Sequence, residues 1–203
     1  MKYFHVNHIS EHSPEKHLMV GDVVELSSKD HNPYYKSILN RQKHIAVGDQ
    51  DIPLLEFFKN IQCGKYGNIP EANDPKKIAE IAHSLLDDFM QFHRETHFEN
   101  IRGAEFPHLP SRLSCMWLAS SYEDAISWSQ RLSGRKQPQI VKVEVENEPF
   151  CANEGHLIQD SELTQDTLER ARRYWGGKDG GGRTELLYIG KLTVLEVFKI
   201  PVT

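Results

Sequence analysis

The stretch 107–121 constrains the fold more than any other part of the chain, because it ends one kind of structure and begins two others. Two prolines near its start disfavour regular structure, since proline fixes φ and lacks an N–H donor. The apolar run Cys115–Leu118 is long enough for one buried strand. Ser121 can then cap a helix, with Asp124 three residues further on. We therefore expect a strand bearing Trp117 to lead directly into a capped helix, which is a common way to line a pocket.

Composition limits the classes of protein to which the chain can belong. Its 203 residues, of which 38% are hydrophobic and 26% charged, indicate a soluble folded protein of one domain. The net charge of -5 argues against general binding to nucleic acid or anionic membranes, although a local phosphate site stays open. The polar start Met1–His5 has no apolar segment typical of a signal peptide. The cysteines (Cys63, Cys115 and Cys151) are far apart in sequence, which predicts reduced thiols and a cytoplasmic location, with export as an effector as the alternative.

The expected helices and strands make an α+β fold. Asp74 as N-cap and Pro75 at the first helical position open the clearest helix, which carries an apolar stripe and is expected to end at Gly103. A short helix is expected near Leu54–Ile61, and a charged one at Thr164–Tyr174. The main strands are expected at Tyr3–Val6, Gln139–Val145, Glu185–Gly190 and Leu192–Phe198, the last two as a pair around a turn. The sequence thus predicts a single domain over 1–203 with a mainly helical insertion at about 40–105.

Two segments between these elements are interpreted as irregular. Asn32-Pro33 is a turn signal, with two tyrosines just beyond it. The segment Gly176–Thr184 is so rich in glycine that a mobile loop is expected there, because glycine leaves the backbone unusually free.

Two kinds of chemistry are considered and set aside. His93 and His97 are four residues apart on one helix face and could share a metal ion. However, Glu95 is misplaced for a HExxH arrangement and no third ligand is evident, so no metal is expected. Cys115 lies inside an apolar run, where a buried thiol is more often inert than nucleophilic.

A third signal spans the whole chain. A strand bearing His5, a strand bearing Trp117 that enters a helix, and a strand that opens on Glu185 after a glycine-rich loop occur in that order. This order resembles the ADP-ribosyltransferase superfamily, in its His-aromatic-Glu branch. The residues from Arg94 to Arg112 also resemble an uncharacterised bacterial family described only as a domain of unknown function. The first resemblance implies a two-sheet core and NAD as the substrate, whereas the second brings no activity with it.

The resemblance to ADP-ribosyltransferases implies a role for each of five residues. Glu185 would stabilise the positive charge that develops on the ribose as nicotinamide leaves. His5 would hydrogen-bond the adenosine-side ribose, and Trp117 would stack on the nicotinamide ring. Arg112 would bind the pyrophosphate, and Ser120 would lie with these cofactor-binding residues. The structural alternatives are a solvated strand-end glutamate, a histidine and a tryptophan of the core, and an arginine in an ion pair.

The sequence also departs from the superfamily pattern. Trp117 stands where tyrosine is usual, and Arg183 lies where arginine- and asparagine-modifying members of the superfamily carry glutamate or glutamine. The second departure argues against transfer to arginine. Arg183 and Thr184, at the end of the glycine-rich loop, would meet the acceptor, which is expected to be a protein.

Two other functions stay open. One is a non-catalytic module that keeps the fold and binds NAD or a partner. The other is an RNA-repair phosphotransferase on a related scaffold, against which the acidic net charge and the lack of a basic motif both count. A catalytic protein could serve the bacterium itself or act as a toxin or effector.

Overall fold

A computed structural model describes residues 1–7, 17–27, 31–39, 43–67, 73–131, 138–157 and 164–198. These residues form both helices and antiparallel strands, which confirms the α+β class. The strands are β1 (Lys2–Asn7), β2 (Val23–Leu26), β3 (His44–Val47), β4 (Gln50–Pro53), β5 (Met116–Leu118), β6 (Gln139–Val145), β7 (Phe150–Asn153), β8 (Thr184–Tyr188) and β9 (Gly190–Phe198). The helices are α1 (Pro33–Leu39), α2 (Leu54–Gln62), α3 (Pro75–Glu105), α4 (Tyr122–Arg131) and α5 (Thr164–Trp175), with a 3₁₀ turn at Glu154–Leu157.

The chain divides into two compact units. One consists of residues 1–37 and 94–203, and the other of residues 38–93. The first unit holds two antiparallel sheets, with the strand orders β1-β6-β9-β2 and β5-β8-β7. Whether the whole chain acts as one domain with an insertion at about 40–105 stays a prediction.

The two sheets of the first unit meet where β1 lies beside the end of β5. Phe4 and Ala119 exchange main-chain hydrogen bonds of 2.9 and 2.7 Å across this junction. On its other side β5 pairs with β8, with Trp117 opposite Leu187. The strands that carry His5, Trp117 and Glu185 are therefore successive neighbours.

Helices α3 and α5 supply the core that covers the three-stranded sheet. Leu187 of β8 is fully buried among Phe98 of α3 and the aromatic pair Tyr174 and Trp175 of α5. The indole Nε1 of Trp175 donates to the Phe98 carbonyl at 2.8 Å, which satisfies a buried donor. Side chains of one strand face alternate directions, so Glu185 lies on the same face of β8 as Leu187.

The second unit packs a hairpin of β3 and β4 against α2 and the first half of α3. Phe57 of α2 is fully buried there, beside Ile81 and Leu85 of α3. The sequence analysis found the helix but not the hairpin, whose turn contains Gly48 at a φ of 60°. Only two four-residue strands are involved, and runs this short carry a weak periodic signal.

Helix α3 begins as predicted and ends later. Asp74 Oδ1 accepts hydrogen bonds from the main-chain N–H groups of Lys76 and Lys77, at 3.0 and 3.3 Å. The predicted end at Gly103 is wrong, because the helix runs on to Glu105. Burial of Ile101 in the core stabilises this last part of the helix, and one glycine costs only about 1 kcal/mol in a helix interior.

Two further sequence interpretations need correction. Asn32-Pro33 is not an isolated turn but the start of α1, since Asn32 Oδ1 accepts from the N–H of Tyr35 at 2.9 Å and proline suits a first helical turn. The last two strands exist as predicted, yet β8 and β9 belong to different sheets. The chain changes sheet at Gly190, whose φ of 131° disfavours any other residue.

None of the helices in the described residues is both long and apolar enough to cross a membrane.

Candidate functional site

A buried group of ionised and aromatic side chains lies under the start of β8, between that strand and the helices that cover it. We call it the Arg112 cluster. Its members are Tyr34 of α1, Arg94 and Glu95 of α3, Arg112 of the loop before β5, Tyr174 of α5 and Glu185 of β8.

Arg112 is the centre of this cluster. Its side chain is 5% exposed, and its Nε donates to Glu95 Oε2 at 3.0 Å. Its Nη1 donates both to Tyr174 Oη, at 2.7 Å, and to Glu185 Oε2. The guanidinium carbon also lies 5.7 and 5.3 Å from the ring centres of Trp117 and Tyr174, within cation–π range. A single cation therefore joins two carboxylates and two aromatic rings.

Glu95 is the more deeply buried of the two carboxylates, with no exposed side-chain surface. Its Oε1 accepts from Arg94 Nε at 3.2 Å and from Arg94 Nη2 at 2.8 Å. Burial alone would raise its pKa, but the guanidinium groups of Arg112 and Arg94 outweigh burial and hold the pKa below the ordinary value. Glu95 is therefore ionised at neutral pH.

Glu185 is held on one side only. Its Oε2 accepts from Arg112 and, at 2.7 Å, from the phenol of Tyr174. Burial raises the pKa of Tyr174 well above its ordinary value, so the phenol stays protonated and keeps donating. Its other oxygen, Oε1, accepts no hydrogen bond from any residue in the described part of the chain. The carboxylate is thus fixed in orientation through Oε2 alone.

Trp117 lies on β5, the strand next to β8, and His5 lies on β1, which adjoins the end of β5. The Nδ1 of His5 is 2.9 Å from the Trp117 carbonyl oxygen, which ties β1 to β5 through a side chain. The Trp117 ring packs partly buried on the core around Leu187 and meets the Tyr34 ring edge-on at 5.4 Å. Its indole N–H is buried without a hydrogen-bond partner among the described residues. The structure therefore brings Trp117, Arg112 and Glu185 together, whereas His5 is linked to the main chain of Trp117 and is not a member of the Arg112 cluster.

Three other predicted site residues lie at the protein surface. Ser120 is exposed and donates to Asp124 Oδ2 at 2.8 Å. Arg183 is exposed, with its Nη1 3.0 Å from Ser127 Oγ, and Thr184 is the exposed first residue of β8. Hydrogen bonds from Ser121 and Ser120 lower the pKa of Asp124 below its ordinary value. Ser121 also accepts from the Asp124 N–H at 3.1 Å, which confirms the predicted helix cap.

Arg112 does not have the predicted role. Its donors are occupied by Glu95, Glu185 and Tyr174, and burial leaves no exposed fork for a pyrophosphate. The carboxylates of Glu185 and Glu95 outweigh the effect of burial and raise its pKa well above the ordinary value. Arg112 forms the structural ion pair that was the alternative in the sequence analysis.

The glycine-rich loop is closely packed, so mobility is the wrong explanation of its glycines. Asn153 Oδ1 accepts from the N–H groups of Gly155 and Gly182 at 2.8 and 3.0 Å. His156 Nε2 lies 3.0 Å from the Lys178 carbonyl oxygen. A Cβ atom at Gly155 would be 2.0 Å from the Gly180 carbonyl oxygen. These glycines let two backbone segments approach one another, and the approach holds the chain that leads into β8.

We expect Gly155→Ala to destabilise the protein by about 2–3 kcal/mol, because backbone atoms must move to accommodate the methyl group. Urea unfolding followed by circular dichroism measures the change. Gly103→Ala is the matched control, since nothing lies within 4 Å of a Cβ at that helical position, and it should stabilise by up to about 1 kcal/mol. Equal stability of wild type and Gly155→Ala would contradict the close approach.

Sequence analysis missed two members of the cluster, Tyr174, which contacts Glu185, and Glu95, which shares Arg112 with it. Glu95 falls three and six residues before the buried Phe98 and Ile101, so it lies on the apolar face of α3. A charged residue on such a face is the signal that could have revealed it. Tyr174 was assigned only to a charged helix, and its contact with Glu185 depends on tertiary packing.

The described residues contain no group of three or more His, Cys, Asp or Glu side chains that could hold a metal ion. The three cysteines are free, with Cys63 and Cys151 exposed and Cys115 buried. Burial raises the pKa of the Cys115 thiol well above its ordinary value, and the nearby Arg112 only partly opposes this. Cys115 is therefore an inert core thiol, as the sequence predicts.

We expect a thiol reagent such as DTNB at pH 8 to modify Cys63 and Cys151 quickly and Cys115 only after unfolding. The measurement is the released chromophore before and after addition of urea. A Cys63→Ser, Cys151→Ser double variant is the control and should show almost no rapid reaction. Rapid modification of that variant would mean that Cys115 is accessible.

The fold and site define an α+β protein with a buried arginine–carboxylate cluster under the central strand of a three-stranded sheet. The model of one protein family, described as "Protein of unknown function (DUF2441)", matches residues 3–200. The chain belongs to this family. A comparison with proteins of curated function found no match.

Proposed function

We propose that this protein is an NAD-dependent mono-ADP-ribosyltransferase with an ADP-ribosyltransferase-like two-sheet core. The observation that supports the proposal most is the order of neighbouring strands, in which β1, β5 and β8 lie side by side with His5, Trp117 and Glu185. These are the three strands that the resemblance requires to meet. They are separated by long stretches of sequence, and only the tertiary fold brings them together.

The proposed reaction breaks the bond between nicotinamide and C1′ of the ribose. The bonding electron pair leaves with nicotinamide, and the ribose becomes an oxocarbenium-like cation. Glu185 stabilises that charge through Oε1, while Arg112 and Tyr174 hold Oε2 in place. A lone pair of the acceptor then forms a bond to C1′, and the acceptor's proton passes to water. Trp117 supplies an aromatic face for the nicotinamide ring, and His5 hydrogen-bonds the adenosine-side ribose.

The acceptor in this proposal is a protein in the cytoplasm. Arg183 is exposed two residues before Glu185, and a guanidinium cannot accept a proton at neutral pH. The acceptor therefore finds no general base at this position. This counts against arginine, whose side chain must be deprotonated before it can attack.

A second candidate function is a binding module that keeps the fold without catalysis. The observation in its favour is the buried ion pair between Arg112 and Glu185, which gives Glu185 a structural role. A carboxylate neutralised in this way has less charge to offer a substrate.

Incubation of the purified protein with NAD distinguishes these two functions. We expect release of nicotinamide, measured by chromatography, and transfer of label from NAD carrying a radioactive adenylate to proteins of a bacterial lysate. The heat-unfolded protein is the control for spontaneous hydrolysis and non-enzymatic labelling. Binding of NAD in calorimetry without release of nicotinamide favours the binding module. A protein that neither binds NAD nor releases nicotinamide would contradict both the transferase and an NAD-binding module.

A further inference from the structure

We propose that Glu95 and Arg94 are positioning residues which set the charge that Glu185 presents to a cation at the site. This inference rests on the proposed function, because the cation in question is the ribose from which nicotinamide leaves. Glu95 acts through Arg112 and touches neither the ribose nor the acceptor.

The carboxylates of Glu95 and Glu185 accept hydrogen bonds from different parts of the Arg112 guanidinium. Glu95 accepts from Nε at 3.0 Å and from Nη2 at 3.4 Å, so it takes one edge of the guanidinium fork. Glu185 takes only Nη1, which it shares with Tyr174. A guanidinium shared in this way is less able to neutralise Glu185 than one that pairs with Glu185 alone.

Arg94 pairs with the other oxygen of Glu95 and so partly neutralises the carboxylate that competes with Glu185 for Arg112. It donates to Glu95 Oε1 through Nε and Nη2, while its Nη1 donates to the Leu157 carbonyl at 2.8 Å. Two arginines and two glutamates give the cluster a formal charge of zero. All four side chains are at most 14% exposed, so water screens a change in this balance only weakly.

Substitution of Glu95 and substitution of Arg94 should change the net charge around Glu185 in opposite directions. Glu95→Gln leaves the cluster with one net positive charge, and the two arginines then neutralise Glu185 more completely. Arg94→Gln leaves one net negative charge and should strengthen the attraction of Glu185 for a cation. The double variant Arg94→Gln, Glu95→Gln restores a net charge of zero. A purely structural role predicts instead that every substitution impairs the site and that the double variant is the worst.

The test compares two ligands by calorimetry. The cationic ligand is an ADP conjugate of a hydroxylated pyrrolidine, whose ring nitrogen is protonated at neutral pH, and the matched ligand is ADP-ribose, whose sugar ring is neutral. We expect Glu95→Gln to bind the cationic ligand roughly tenfold or more weakly than wild type does, with ADP-ribose affinity changed less than about twofold. The double variant should regain most of the loss, and Arg94→Gln should bind the cation more tightly than wild type.

The surface pair Glu105 and Arg172 provides the control. Arg172 Nε lies 2.8 Å from Glu105 Oε1, and the two side chains are 38% and 45% exposed and lie outside the Arg112 cluster. The double variant Glu105→Gln, Arg172→Gln should bind both ligands as wild type does.

The possible outcomes separate this inference from the proposed function. Any of three results would overturn the inference. Glu95→Gln could lose the same affinity for both ligands, the double variant could bind the cationic ligand no more tightly than Glu95→Gln does, or Arg94→Gln could bind it no more tightly than wild type does. If Glu95→Gln fails to fold, the sign of the Arg94→Gln effect decides, because that side chain is partly exposed. A wild-type protein that shows this pattern of cation binding but releases no nicotinamide supports the inference and contradicts the proposed catalysis. Wild type that binds neither ligand contradicts both.

Discussion

Replacing Glu185 with glutamine is expected to lower the rate of nicotinamide release by on the order of 10²–10³, while NAD affinity stays nearly unchanged. Glutamine is close to isosteric and its amide oxygen can still accept from the Tyr174 phenol, as Glu185 Oε2 does at 2.7 Å. The amide lacks the negative charge that stabilises the ribose cation. Only the transition state carries that cation, so the substitution should lower kcat and leave the affinity for NAD nearly unchanged.

Stability must be measured beside turnover in this variant, because Glu185→Gln also removes a charged partner of the buried Arg112. Circular dichroism and urea unfolding show whether the variant is folded under the assay conditions. Glu196→Gln makes the same chemical change on the exposed part of β9 and should leave both rate and stability close to wild type. A folded Glu185→Gln variant that releases nicotinamide at the wild-type rate would show that another carboxylate, or none, carries the reaction.

Local sequence signals predicted the elements that hold the site. Asp74 and Pro75 mark the start of α3, Ser121 marks the start of α4, and both caps occur as predicted. The alternating pattern of Gln139–Val145 likewise predicts β6. Each of these signals depends on residues within a few positions of one another, which is why the sequence alone reveals it.

The contacts of the site could not be predicted in the same way. Glu95, Arg112 and Glu185 are brought together from three elements, and their pairing decides whether Arg112 is free for a pyrophosphate. In the sequence each residue is only one of many charged side chains. The buried pairing becomes visible when helix packing removes water from all three.

The glycine-rich loop shows a related limit. Its composition is compatible with a mobile linker and with two backbones in close contact, since both use the missing Cβ atom. The contacts of Gly155 with Gly180 and Gly182 lie outside the loop's own sequence neighbourhood. Composition therefore located the segment correctly and gave the wrong reason for it.

Replacing Arg112 with methionine is expected to destabilise the protein by about 3–5 kcal/mol at pH 7, because Glu95 and Glu185 then remain buried without their shared cation. Methionine keeps much of the apolar stem, so most of the change reflects the lost charge. Urea unfolding measures it. Arg172→Met is the matched control, since Arg172 pairs with Glu105 at the surface, with side chains 45% and 38% exposed, and its loss should cost at most about 1 kcal/mol.

The dependence of this destabilisation on pH identifies its cause. In the wild type, burial is outweighed by Arg112 and Arg94, and the pKa of Glu95 lies below that of an unfolded glutamate. Glu95 therefore stabilises the wild type above roughly pH 4.3, and this contribution is lost as the pH falls through the folded pKa. Without Arg112, burial is less opposed and the pKa of Glu95 shifts upward, so the protonated carboxyl becomes easier to bury. The loss in free energy of unfolding caused by Arg112→Met should accordingly be smaller at pH 5 than at pH 7. An equal loss at pH 5 and pH 7 would show that it comes from packing around the guanidinium and not from its charge.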